Sequence, residues 1–133
     1  MIQCKRAYLP TADEDGQRVL VDRLWPRNCR KEDLPLDGWL PQLAPSTALR
    51  REFKGGLLDF ATFRQRYRQE LAAHPEHWWP LLERAAQSTL TLVYAARDER
   101  ENNAQVLAEW LTEELERRAD PSSPTCYAGK PLE

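Results

Sequence analysis

Two short apolar runs stand out along the chain, Val19–Leu20–Val21 and the five residues 90–94. Each is too short for a buried helix and rich in residues that favour strands, so each is predicted as a buried strand. Both runs lead into a polar, arginine-bearing turn. The first passes into Asp22, Arg23, Trp25, Pro26 and Arg27, the second into Ala95, Ala96, Arg97 and Asp98. Pro26 cannot continue a central ladder and restricts the residue before it, so the chain must turn there. Residues 2–8 have an alternating character and predict an earlier strand closed by Pro10. The polar segment 11–17, with Gly16, reads as a loop.

Elsewhere the apolar period lengthens to that of a helix. Ser46 is placed to cap a helical stretch that Gly55 and Gly56 stop. From Asp59 onward, Phe60, Phe63, Tyr67 and Leu71 form one stripe, with Arg64, Arg66 and Arg68 largely off it. Pro75 suits the first position of a third helix, striped by Trp78, Leu81, Leu82 and Ala85. A last helix is predicted over about 100–118, with Asp98 and Glu101 placed as its capping box. Residues 28–45 hold three prolines together with Leu36, Trp39, Leu40 and Leu43, too apolar for a solvated linker. They predict an ordered cover over the strand end. This order of elements predicts a single three-layer α/β domain over 1–119, with a small, mostly parallel sheet and the two apolar runs as adjacent parallel strands. Residues 120–133, polar and proline-rich, predict a flexible tail.

Charge and composition narrow the function classes. Nineteen lysines and arginines face 21 acidic residues, for a net charge of -2. No global basic field exists to recruit nucleic acid or an anionic membrane, so any anion site must come from local clustering. No apolar run approaches the roughly 18–20 residues that span a bilayer. The opening MIQCKRAY lacks the apolar stretch of a signal peptide. Cys4, Cys29 and Cys126 are odd in number and dispersed, without zinc spacing. They read as free thiols of a cytoplasmic protein. His74 and His77 flank a helix junction and read as surface or capping groups. Phosphate-cradling glycine loops and a nucleophile elbow are absent. No metal and no cofactor are expected.

Ligands of open parallel sheets bind outside the carboxyl ends of the strands. Arg23, Trp25 and Arg27 fall at one such end, and Arg97, Asp98, Asn102 and Asn103 at another. Guanidinium forks suit phosphate and carboxylate. Arg6, at the end of the first strand, falls near the same edge, and Arg50 is placed to join from its helix. The expected function is binding of an anionic small molecule, such as a nucleotide, phosphate ester or carboxylate, with Asp22 or Asp98 the nearby general-base candidates for any chemistry. The alternative is a nucleic-acid-binding or regulatory module using the arginine-rich helical face of residues 50–68.

The strings CKRAY, RVLVDRLWPR, FATFRQRY and LVYAARD followed by NNAQVL, with Pro45-Ser46 and Leu49-Arg50, resemble the YeaO-like proteins, a bacterial family of unknown function. The resemblance covers about residues 2–112. It implies a cytoplasmic, stand-alone α/β domain and supplies no reaction. Departures from the family pattern fall at three positions. Asn28 stands where glycine is frequent, and Lys54 and Glu101 stand where histidine is frequent. Any histidine-dependent chemistry of relatives is therefore not implied for this chain.

Overall fold

A computed structural model describes residues 1–119. The tail and Cys126 lie outside the described residues. The order is β1 (Ile2–Arg6), β2 (Gln17–Leu20), β3 (Gly38–Trp39), α1 (Thr47–Lys54), α2 (Phe60–Ala73), α3 (Pro75–Gln87), β4 (Leu90–Tyr94) and α4 (Asn103–Ala119). The strands form one sheet in the order β1-β4-β2-β3. Every pairing is parallel, so the predicted pairing of residues 19–22 with 90–94 is present. The ladder runs past the strand ends, with the Val21 amide donating to Val93 O at 3.0 Å and the Ala7 amide to Tyr94 O at 2.7 Å.

The alternation of side chains sorts the core into two layers. Val19, Val21, Leu90, Leu92 and Tyr94 pack with Leu49 of α1, Phe63, Tyr67 and Leu71 of α2, Trp78 to Ala85 of α3, and Ala104 to Leu111 of α4. All four helices therefore feed one core. On the other side, Ala7, Leu20 and Val93 pack with Leu34, backed by Trp25, Cys29 and Leu36. The third layer is the irregular cover, which carries a 3-10 turn at Lys31–Asp33 and no α-helix.

That thinner side also holds a buried ionic group. The Asp15 carboxylate accepts from Lys5 Nζ at 3.1 Å and from Arg18 Nη1 at 2.6 Å. It also accepts from the Ala12 amide at 3.1 Å. Burial raises the Asp15 pKa, but these hydrogen bonds and the Lys5 charge outweigh it and hold the carboxyl below its ordinary value. Lys5 is thus turned away from the strand-end edge where Arg6 lies. Gly16 follows with φ 62°, and an added Cβ would sit 2.3 Å from Thr89 O. Only glycine fits this passage into β2.

The helix boundaries follow local chemistry. Ser46 Oγ accepts from the Leu49 amide and Asp59 Oδ1 from the Thr62 amide, the side-chain caps that start α1 and α2. Pro75 opens α3. The last helix starts at Asn103, three residues later than its sequence pattern predicts.

Candidate cationic cleft at the carboxyl edge of the sheet

Parallel strands deliver all four carboxyl ends to one edge, and the segments leaving β1, β2 and β4 wall a cleft of about 840 Å³. Arg6, Arg23, Arg27, Arg50, Lys54 and Arg97 line it, against two acidic residues, Asp22 and Glu101. Trp25, Tyr8, Asn102 and Asn103 also face it, with Phe53 and Phe63 at its apolar wall. Arg23 and Arg97, from the ends of β2 and β4, therefore share one cleft. Arg50 and Lys54 sit one helical turn apart on α1, which places both on the same side.

Each cation is seated differently. Arg6 leaves β1 and donates through Nε to Ala96 O at 2.9 Å, with its guanidinium 5.0 Å above the Tyr8 ring. Arg23 Nη2 reaches Ala44 O and Pro45 O at 3.3 and 3.2 Å, while its buried Nε has no hydrogen-bond partner. Arg27 and Arg97 are exposed. Tyr8 OH donates to Arg27 O at 2.9 Å and holds that loop against the end of β1. Asn28 takes φ 58°, a left-handed conformation that asparagine tolerates better than most residues. It is one of the three positions where the chain departs from the family pattern, and all three line the cleft.

Asp22 is the structural hinge of the site. One carboxylate oxygen accepts from the Ala95 amide at 2.9 Å and the other from Asn103 Nδ2 at 3.1 Å. Asn103 Nδ2 also donates to Val21 O, tying α4 to the end of β2. Burial pushes the Asp22 pKa above its ordinary value, opposed by those two hydrogen bonds and by the charges of Lys54 and Arg50.

Two expectations change here, those for Asp98 and Asn102. Asp98 is not part of the cleft wall. Its Oδ1 accepts from the Arg100 and Glu101 amides at 2.9 and 3.0 Å, so it closes its own turn and does not cap the helix. Asn102 is the helix cap, with Oδ1 accepting from the Gln105 amide at 2.9 Å and Nδ2 donating to Asp98 O at 2.8 Å. Its carboxamide is committed at both ends, although it borders the cleft. Trp25 is likewise engaged, donating through Nε1 to Cys29 O and meeting Trp39 edge-on at 5.6 Å between ring centroids. It closes this part of the cleft wall. Asn102→Ala is expected to cost about 0.5–2 kcal/mol, read as a lower chemical-denaturation midpoint. An unchanged midpoint would remove the capping role.

This is a small, all-parallel α/β domain with a cationic cleft at its strand-end edge. Its sequence matches the inactive DUF488-N3 subclade over residues 1–128, and the chain belongs to this YeaO-like family. It is 50% identical over 110 residues to the uncharacterised protein YeaO of Escherichia coli K12, covering 83% of this chain and 96% of that one. It is 37% identical over 113 residues to the uncharacterised protein Rv3073c of Mycobacterium tuberculosis, covering 83% and 92% of the two chains. No solved structure matches the chain.

Proposed function

We propose that the chain binds an anionic small molecule in the strand-end cleft and does not itself transform it. The observation that carries this reading is the charge of the cleft: six cationic side chains against two acidic ones, in a protein whose net charge is -2. Such a cluster repels itself, and a bound phosphate or carboxylate relieves the repulsion.

The wall supplies little for chemistry. Among the described residues, neither histidine nor cysteine lines the cleft. Both Asp22 oxygens are already accepting hydrogen bonds, and Asp98 is held in its own turn. The subclade is itself described as inactive, which agrees with binding in the absence of turnover.

Arginines of α2 favour the small-anion reading over nucleic acid. Arg64 pairs with Glu109, Arg66 with Glu52, and Arg68 with Glu113. Their charge is largely neutralised by neighbouring helices, which leaves no bare basic stripe along α2. No helix among the described residues is long and apolar enough to cross a membrane.

The test is a thermal-shift series with pyrophosphate, nucleotides and di- and tricarboxylates. At about 100-fold over Kd a ligand adds roughly 2.7 kcal/mol of stability, a rise of several degrees in Tm. Arg97→Ala and Arg27→Ala, both at exposed positions, are expected to weaken that shift without lowering the Tm of the free protein. No shift with any anion, or shifts unaltered by the double variant, would overturn the reading.

A further inference from the structure

A second site lies away from the cleft, at the junction of α2 and α3. His74 Nδ1 is 3.2 Å from Glu76 Oε2, and His77 Nε2 is 3.7 Å from the same oxygen. One donor atom from each of these three residues lies within 4.8 Å of the others. We propose that His74, Glu76 and His77 form a binding site for a single transition-metal ion of the zinc class.

The two separations to the Glu76 oxygen are close to those of a ligand set. Metal–nitrogen and metal–oxygen bonds of about 2.0–2.1 Å in tetrahedral geometry place neighbouring donors roughly 3.3–3.4 Å apart. The two measured separations bracket that value. The two imidazoles suit zinc, nickel or copper, and a single carboxylate beside them does not make the all-oxygen shell that magnesium and calcium take. Three protein donors leave a coordination position for water or an added ligand.

The backbone brings these donors together before any ion arrives. Pro75 has a fixed φ and opens α3, with His74 immediately before it. The His77 amide then donates to His74 O at 3.0 Å, closing one turn. The imidazoles are stacked, with ring centroids 4.9 Å apart and planes 12° from parallel. The donor atoms lie within 4.8 Å of one another, so binding one ion would need modest side-chain rotations at this junction. Both histidines also border a separate cavity of about 280 Å³, whose wall includes Arg23, Ser46 and Glu70. An ion held here would stand at the edge of that cavity, with room beside it for an exogenous ligand.

Isothermal titration of the untagged full chain with zinc chloride tests the assignment, with magnesium chloride as the control. The expected result is one zinc per chain and no magnesium binding. His74→Ala/His77→Ala should weaken zinc binding at least tenfold, with Tm of the metal-free protein nearly unchanged. Glu76→Gln keeps the shape and removes the charged donor, and should weaken binding in the same direction. Cobalt substitution should give a spectrum without thiolate charge-transfer bands. Absence of zinc binding, or binding that survives both variants and is lost on thiol alkylation, would overturn the proposal.

Discussion

Asp15→Ala is expected to destabilise the protein by about 3–5 kcal/mol, because it leaves buried cations without their counter-charge. The Arg18 side chain is only 4% exposed and that of Lys5 19%. Arg18 Nε keeps its bond to Pro35 O, but Nη1 loses its carboxylate and Nη2 already lacks a partner. Asp15→Ala/Arg18→Met should recover much of the loss, since the double variant removes the stranded charge as well. A double variant no more stable than the single one would show that the aspartate acts otherwise. The pH dependence has a defined sign. Because the folded pKa of Asp15 lies below its ordinary 3.8, its stabilisation is full above that value and is lost as pH falls toward the folded pKa. The gap between wild type and Asp15→Ala should therefore narrow in acid, below about pH 4. Denaturation midpoints across pH measure it.

Tyr67→Ala is expected to cost about 3–5 kcal/mol, as a fully buried aromatic truncation. Tyr67 is 1% exposed, packs against Phe63 and donates its hydroxyl to Leu43 O. Burial, with the nearby carboxylates of Asp22 and Glu70, pushes the phenol pKa upward, so the hydroxyl remains a donor. Tyr67→Phe keeps the ring and should cost only about 1–3 kcal/mol for the unsatisfied carbonyl. The two variants separate packing from hydrogen bonding. The tyrosine also fixes the turn that presents Ala44 O and Pro45 O to Arg23. Tyr67→Phe should accordingly weaken anion binding in the cleft while the protein remains folded. Equal losses of stability from Phe and Ala would assign the whole effect to the hydroxyl.

Much of this architecture is legible where one local signal decides. Residues 90–94 form β4 as the apolar run predicts, because all five are buried. Ser46, Asp59 and Pro75 mark helix starts that depend on nearby atoms alone. The two-residue strand β3 carries no periodic signal. It exists because Gly38 and Trp39 fall beside Val19 and Leu20, with the Asp37 carboxylate accepting from the Arg18 amide. The start of α4 moved because several polar residues in 98–103 compete for the same amides, and only folded geometry selects Asn102. At the cleft, Arg23 and Arg97 follow from strand ends, whereas Lys54 and Glu101 arrive through the tertiary placement of helix termini. The grouping of His74, Glu76 and His77 is not legible in the sequence, because residues flanking a helix junction read equally as surface or capping groups.

The position of β4 in the sheet has a consequence for the chain as it is made. β1 and β2 do not pair with each other; each pairs with β4, which follows some 70 residues after β2. At translation rates of about 5–20 residues per second, β2 waits roughly 4–14 s for this partner, and β1 somewhat longer. During that interval β2 can pair only with β3 at Gly38–Trp39, and its other edge, at Val19, Leu20 and Val21, has no native neighbour within the sheet. The middle strand is therefore the last to emerge. Completion of the sheet is therefore a late event, because both β1 and the inner edge of β2 await residues 90–94.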